Sequence, residues 1–325
     1  MSPQAATEYL KKSASSGLPY YVKKGDVIDQ TLSDYDRQLR MRYPNIPFWR
    51  TQEDGKMRLV NGTPMASVIR EQTYFQMILP LEKNLPWRAA LVGPDAVSKG
   101  ITELFKRGRN FRKVSIDFKG YDRSIHPGLS RVALEYFKSA FQPTTHKDFD
   151  AVINDFISLP LATPSGLWEG DHGVPSGSAF TNSADSMVQM LIYHQQNGGY
   201  NENPFQIQGD DGAYLSMDEQ ELFDLFKGYG LTVNEAKSDV SDDYLLYLQN
   251  FFSPFYEKKG IIPGIYPLYR ALLRIRFMET WTDIDLDSIS GAHFFALRTI
   301  SILENCKHHP IVTGKRIRSK ARYRG

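Results

Sequence analysis

Apolar positions along the chain change period three times, and each change predicts an element. Val114, Ile116 and Phe118 alternate with polar neighbours, which predicts a short strand over Val114–Phe118 that carries Asp117. Phe205 and Ile207 alternate with Gln206 and Gln208, and Ala213–Leu215 resume the apolar run after Gly209-Asp210-Asp211. That pattern predicts a hairpin with two aspartates at its tip. Between these segments, Phe180, Ala184, Met187, Val188 and Leu191 share one helical face, and Thr181, Asp185 and Gln189 form a polar column beside it. The Gly/Ser stretch before them predicts a loop that enters the helix. A further helix is predicted over Asp218–Gly228, with Asp218 and Glu221 as a capping box and Gly228 or Gly230 as the stop. Residues 271–281 and 292–303 read as amphipathic helices.

These elements fall in three zones. Residues 1–113 are rich in Lys, Arg, Pro and Tyr with broken periodicity, residues 114–255 mix strand and helix patterns, and residues 256–314 are mostly helical. The middle zone carries an α+β signature. The chain has 325 residues, 41% hydrophobic and 23% charged, enough for two to three subdomains around a sizeable core and too apolar for disorder throughout. Its apolar runs are shorter than a membrane helix needs, and its first residues lack the apolar stretch of a signal peptide. Cys306 is the single cysteine, so no internal disulfide can form, and no second ligand pair accompanies Cys306, His308 and His309 toward a zinc site. The net charge is +2, but the last fifteen residues hold six Lys/Arg and no acid, and removing that +6 leaves the rest at −4. A basic tail on a mildly acidic body reads either as a contact for RNA, DNA or another anionic surface or as a solvated, disordered terminus.

Asp117 and Asp210 each stand at the end of a short apolar strand. If the strands are neighbours, the carboxylates converge, and converging carboxylates repel unless cations separate them. Oxygen ligands without His or Cys favour Mg²⁺, with Mn²⁺ as substitute, and Mg²⁺ also recruits phosphates. Two such ions about 3.5–4 Å apart activate an attacking oxygen and stabilise a leaving one.

A lone Gly-Asp-Asp is a weak signal, and the order of its companions sharpens it. Asp117-Phe-Lys-Gly-Tyr-Asp122, then Ser176-Gly177 with Thr181, then Gly209-Asp210-Asp211, then Lys237 follow one another. In this order the chain resembles the viral RNA-dependent RNA polymerases, most closely those of partitivirus-like and picobirnavirus-like double-stranded RNA viruses. The segments are similar to that family's palm motifs A (117–124), B (173–189), C (208–211), D (231–239) and E (245–253). Lys56-Met-Arg58 with Pro64 resembles finger motif F, and Ser15-Ser16-Gly17 resembles motif G.

The resemblance implies a right-hand fold. Residues 1–113 would be partial fingers, 114–255 an RRM-like antiparallel-sheet palm with an insertion at about 127–172, 256–314 a reduced helical thumb, and 315–325 a basic tail. It implies Asp117, Asp210 and Asp211 as the metal and catalytic acids, and Lys237 as the proton donor to leaving pyrophosphate. Lys56 and Arg58 would neutralise the triphosphate, Arg58 with bidentate reach. Asp122, assisted by Ser124, would read the ribose 2′-hydroxyl. Ser176 and Gly177 would approach the nascent base pair, and Thr181 would face the nucleotide. Implied partners are template and product RNA, ribonucleoside triphosphates and capsid protein, in the host cytoplasm or inside a virus particle.

One position departs from the pattern of many positive-strand virus polymerases, where an Asn stands four residues after the Thr. Here it is Asp185, so Asp122 and Asp185 would face each other unless a proton, metal, Lys or water separates them. Asn182 or Gln189 could then take the amide role. The basic run Arg88, Lys99, Lys106, Arg107, Arg109, Arg112 and Lys113 reads either as phosphate contacts or as a solvated face. A reverse transcriptase would want Tyr-x-Asp-Asp and an aromatic steric gate, and a nuclease would not need the Ser-Gly loop with Lys56 and Arg58. A non-catalytic RNA-binding palm relic would not need to keep all the metal acids.

Overall fold

The computed structural model describes residues 1–51, 57–196, 203–277 and 290–312, apart from the side chains of Thr51 and Arg58. After short N-terminal helical turns, β1 (Ile46–Thr51) and β2 (Met57–Gly62) pair antiparallel. Helices α1 (Met65–Glu82) and α2 (Pro94–Arg107) lead to β3 (Arg112–Ile116). Then come α3 (Pro127–Lys138), α4 (Pro143–Ser158) and the small hairpin β4 (Leu161–Thr163) with β5 (Gly166–Trp168). Helix α5 (Thr181–Tyr193), strands β6 (Gln206–Gln208) and β7 (Asp211–Ser216), helix α6 (Glu219–Gly228) and strand β8 (Asp239–Ser241) follow. The hairpin β9 (Leu245–Tyr247) and β10 (Asn250–Phe252) precedes α7 (Leu268–Arg276) and α8 (Gly291–Glu304).

The central sheet runs β6-β7-β3-β8, with every neighbouring pair antiparallel. Leaving aside the insertion of α3, α4, β4 and β5, its elements occur as β-α-β-β-α-β along the chain. Both faces are covered, and strand alternation explains how. Tyr214 of β7 points with Val114 and Ile116 into the larger core, against Met187 and Val188 of α5 and Leu222 and Phe226 of α6. Ala213 and Leu215 point the other way, to Ile101 and Leu104 of α2 and to Leu245, Tyr247 and Phe252 of the last hairpin. Phe180, just before α5, closes the larger core and touches Phe75, Phe137 and Phe149.

Several expectations shift by a few residues. The strand expected over Val114–Phe118 ends at Ile116, because the chain there changes partner. The Asp117 amide donates to Ser238 Oγ at 3.1 Å, its carbonyl accepts from the Asn234 amide at 2.8 Å, and Phe118 bridges Val233. The hairpin holds one aspartate in its turn, Asp210, while Asp211 already begins β7 opposite Gln208. Helix α6 begins as expected, with the Asp218 carboxylate accepting from the Gln220 and Glu221 amides. Helix α5 is buried nearly all round, so its polar column is not a solvated face. Of the span 271–281, helix ends at Arg276, and 278–281 lie outside the described residues, as does the basic tail 315–325. No helix among the described residues is long and apolar enough to cross a membrane.

Phe180 is fully buried among three aromatic rings. Phe180→Ala should cost about 3–5 kcal/mol of folding stability. Urea denaturation should show this as a lower midpoint at unchanged slope.

Candidate active site

Asp117, Asp210 and Asp211 sit together at one end of the sheet, all solvent-exposed. Ile116 pairs with Gly212, and continuing that register sets Asp117 beside Asp211. Gly209 has φ +63°, the left-handed conformation that a tight turn demands, and this turn delivers Asp210 to the same edge. Although Asp211 keeps solvent access, the protein packed around it raises its carboxyl to about 6, with the Asp210 and Asp117 charges adding to the rise. Among the described residues no three acidic, imidazole or thiol side chains close on a point as a ready-made metal cluster. The donor set is nonetheless all carboxylate oxygen, and its mutual repulsion is what a hard dication relieves.

Two residues missed in the sequence support Asp117. Asn234 Nδ2 donates to Asp117 Oδ2 at 2.6 Å, and Ser238 Oγ receives the Asp117 amide. Both lie on the segment that carries Lys237, whose side chain is exposed and whose amide donates to the Asn234 carbonyl. The Asp117 carboxylate and the Lys237 segment are therefore mechanically linked. The only sequence signal for Asn234 was its place in Leu231-Thr-Val-Asn-Glu-Ala-Lys237, three residues before the lysine.

Helix α5 brings a second polar layer under the acids. Asp185 is buried, and its Oδ1 has no hydrogen-bond partner. Burial, then the neighbouring Asp122 and Asp210 carboxylates, hold its carboxyl well above the usual range, and Arg88 pulls the other way. The expected nearness of Asp122 and Asp185 thus occurs, and burial favours the neutral form of Asp185. Asp122 itself is half-buried, and its carbonyl accepts from the Val174 amide at 2.8 Å. Ser124 Oγ donates to the Tyr121 carbonyl. The two amides considered as substitutes are committed elsewhere. Gln189 donates to the Gly209 carbonyl and accepts from Tyr214, and Asn182 Oδ1 accepts from Arg88 at 2.8 Å.

For Arg88 neither reading of the basic run holds, phosphate contact or solvated face. It is fully buried and makes no phosphate contact surface. Its guanidinium meets Glu82, Ser186, Asn182, Gln208 and the Ile207 carbonyl. Ser186 Oγ in turn receives the Gly209 amide at 2.8 Å. Lys113 is also buried, donating to the Phe111 carbonyl beside the Phe105 ring. Arg107 pairs with Glu103 and Arg112 with Glu219, while Lys99, Lys106 and Arg109 stay exposed.

The loop before α5 is packed against β2. A Cβ on Gly177 would stand 2.0 Å from the Asn61 carbonyl oxygen, so glycine here admits the close approach of β2. Ser176 Oγ donates to the Leu59 carbonyl, and Thr181 Oγ1 donates back to the Pro175 and Ser178 carbonyls. Gly17 presses on the other side of the same strand end, where a Cβ would lie 2.8 Å from the Thr63 carbonyl. Segments 15–17, 59–63 and 176–177 are thereby stacked backbone on backbone. Lys56 lies outside the described residues, and of Arg58 only the backbone, in β2, is described.

The whole arrangement is that of a solved class of viral polymerase with mixed α and β structure. The crystal structure of the RNA-dependent RNA polymerase of a human picobirnavirus superposes with a TM-score of 0.84 at 26% identity, covering 96% of this chain and 64% of that one. Its insertion-loop deletion mutant gives the same TM-score at 27% identity. The family model for viral RNA-dependent RNA polymerase matches residues 1–261, and the chain belongs to that family. A potential RNA-dependent RNA polymerase of human picobirnavirus is 30% identical over 93% of this chain. The RNA-directed RNA polymerase of Cryptosporidium parvum virus 1 is 24% identical over 86%. The chain spans 61% and 56% of the length of these two relatives.

The neutral Asp185 has a measurable signature. Its pKa is raised in the folded state, so its contribution to stability is full below the ordinary carboxylate range and is lost as pH rises through the raised value. Asp185→Asn keeps the shape and cannot ionise. The variant should fold at least as stably as the wild type at pH 8, and the difference between the two should shrink toward pH 5. Thermal melts across that range check it.

Proposed function

We propose that the chain is an RNA-dependent RNA polymerase, joining ribonucleotides to a growing strand under the direction of an RNA template for viral genome replication and transcription. The observation that carries this reading is the grouping of Asp117, Asp210 and Asp211 at one end of an antiparallel sheet in a chain of this family. The primer 3′-hydroxyl attacks the α-phosphorus of the incoming triphosphate, and pyrophosphate leaves. Asp117 and Asp210 would hold Mg²⁺, or Mn²⁺ in its place, with Asp211 supporting at longer range. When bound, the metal supplies charge neutralisation for the attacking and leaving oxygens.

The other roles fall to the chain's own side chains. Lys237 is placed on the segment bonded to Asp117 and gives a proton to the departing pyrophosphate. Lys56 and Arg58 neutralise the triphosphate. Asp122 accepts the 2′-hydroxyl hydrogen bond of ribose, with Ser124 beside it. Protonated Asp185 donates toward Asp122 where an amide would otherwise serve, and Asn182, fixed by Arg88, lines the same side. Ser176, Gly177 and Thr181 shape the floor on which the nascent pair rests.

In this reading residues 1–113 are fingers, 114–255 an RRM-like palm, 256–314 a reduced thumb and 315–325 an RNA-binding tail. The β-α-β-β-α-β order and the β6-β7-β3-β8 sheet support the palm assignment. Partners are template and product RNA, ribonucleoside triphosphates and, inside a particle, capsid protein; the site of action is the host cytoplasm or the particle.

Primer extension on an RNA template tests the reading. Asp117→Asn and Asp210→Asn should each reduce Mg²⁺-dependent incorporation below detection in a folded protein, and Asp211→Asn should reduce it less. Wild-type activity in Asp210→Asn would sink the proposal. With ribo- and deoxyribonucleotides compared, Asp122→Ala should lower the preference for ribose by roughly ten- to a hundredfold, the scale of one hydrogen bond to a buried hydroxyl.

A further inference from the structure

Glu71 has no part in the mechanism above, yet it is buried on α1 and aimed at the loop that precedes α5. Its Oε2 accepts the Ala179 amide at 2.8 Å, and the Ser178 hydroxyl also hydrogen-bonds to it. The opposite side of the same loop is held by β2, through Gly177 against the Asn61 carbonyl and Ser176 against the Leu59 carbonyl. From within, Thr181 ties Pro175 to Ser178. The loop is thus clamped between a finger strand and one carboxylate, and nothing about strand or helix stability requires that carboxylate.

We infer that Glu71 is a positioning residue, which holds the loop Ser176–Phe180 in the shape that receives the nucleotide and so links the finger helix α1 to substrate binding. The inference rests on the polymerase reading for the word substrate, and on the structure alone for the anchor. Glu71 touches neither the three aspartates nor the nucleotide position assigned to Asp122.

The anchor is also sensitive to proton concentration. The charged groups around Glu71 are Arg70 on its own helix, Asp155 on α4, and Lys24 from the N-terminal segment. Asp155 is itself pinned by Arg42 and Arg70. Burial dominates and lifts the Glu71 carboxyl to about 7; the Ala179 amide and Ser178 hydroxyl pull it down, Asp155 pushes it up, and Arg70 pulls it down. When the loop lets go, water reaches the carboxyl, and the burial that dominates its rise is lost along with the two hydrogen bonds, so the released carboxyl gives up its proton at a lower pH. The docked state therefore binds more protons, and the loop docks less firmly as pH rises through about 7. Overall folding stability moves the same way. Measured against the unfolded chain, the raised pKa means that the Glu71 contribution is full below the ordinary carboxylate range and is lost through about 7.

Hydrogen exchange of the peptide spanning 176–180, corrected for the intrinsic pH dependence of exchange, tests the anchor in the full chain. Wild-type protection should fall roughly three- to tenfold between pH 6 and pH 8. Glu71→Gln keeps a carbonyl acceptor for the Ala179 amide and cannot ionise, so its protection should persist but stay flat with pH. Glu71→Leu removes the acceptor and should lose protection at both pH values. In primer extension, Glu71→Leu should raise KM for ribonucleotides with a smaller change in kcat, and Glu71→Gln should restore KM while removing the wild-type loss of kcat/KM above about pH 7. If Glu71→Leu fails to fold, the pH profile of Glu71→Gln still decides. Wild-type-like protection with a wild-type-like pH dependence in Glu71→Gln overturns the inference. A wild-type chain that incorporates no nucleotide but shows the predicted exchange overturns the polymerase reading and leaves the anchor standing.

Discussion

A guanidinium with no access to water fixes the geometry of this site. Arg88 leaves the segment between α1 and α2 and reaches Glu82, the first turn of α5 through Asn182 and Ser186, and the end of β6 through Gln208 and Ile207. Ser186 then holds the Gly209 amide, one residue before Asp210. Burying such a charge is tolerable only with its partners in place, and removal of one partner from a buried pair typically costs about 3–5 kcal/mol. Burial pushes the Glu82 carboxyl up, and the Arg88 charge with the Ser183 hydroxyl at 2.6 Å opposes that rise. The aspartate turn, α5 and the segment between α1 and α2 are consequently tied together through one side chain.

The consequence is a division between rigid and adjustable parts of the site. Asp210 hangs on the Arg88 assembly through a single residue. Asp117 instead depends on Asn234 and Ser238, on a segment joined to its strand through an isolated bridge at Phe118 and a few hydrogen bonds. One carboxylate is thus set by a buried charge network and its neighbour by an irregular segment whose Asn234 is buried and whose Lys237 is exposed. In the proposed function the proton donor stands on the second kind of support and the metal-binding turn on the first.

Much of this was legible from local pattern. The alternation around Gly209, the Asp218 cap and the run before Asp117 each encode their own structure within a few residues, so the hairpin, α6 and the first palm strand could be read directly. Whatever depends on a partner far along the chain could not. Arg88 looked like one of seven basic residues because its Asn182 and Gln208 partners lie in other elements. Gly177 looked like room for a base pair, and only the fold puts the Asn61 carbonyl against it. Glu71 and Asn234 carry no local signature, since a buried polar side chain and an exposed one have the same sequence. The meeting of Asp122 with Asp185 could be anticipated from the resemblance to polymerases that carry an Asn at the second position, whereas the direction of the shift required knowing that Asp185 is the buried one.

The backbone stack of segments 15–17, 59–63 and 176–177 explains why glycine recurs at Gly17 and Gly177. Each sits where a single Cβ would collide with a carbonyl of the same strand end, one from either side. A strand squeezed in this way cannot shift without moving both neighbours, so β2, and the Arg58 backbone within it, is registered against the loop before α5. Glu71 closes the circuit from the other side of that loop, and Arg88 fixes the helix that the loop enters. The segments carrying β2 and α1 are therefore coupled to α5 and the central sheet by two unlike devices, a steric one made of absent side chains and an electrostatic one made of buried ionisable groups. The steric device is insensitive to pH and salt. The electrostatic device is not, and its acidic members, Glu71, Glu82 and Asp185, all have carboxyls raised by burial. Proton concentration acts on this molecule through the joints between its parts as well as through the exposed aspartates at the end of the sheet.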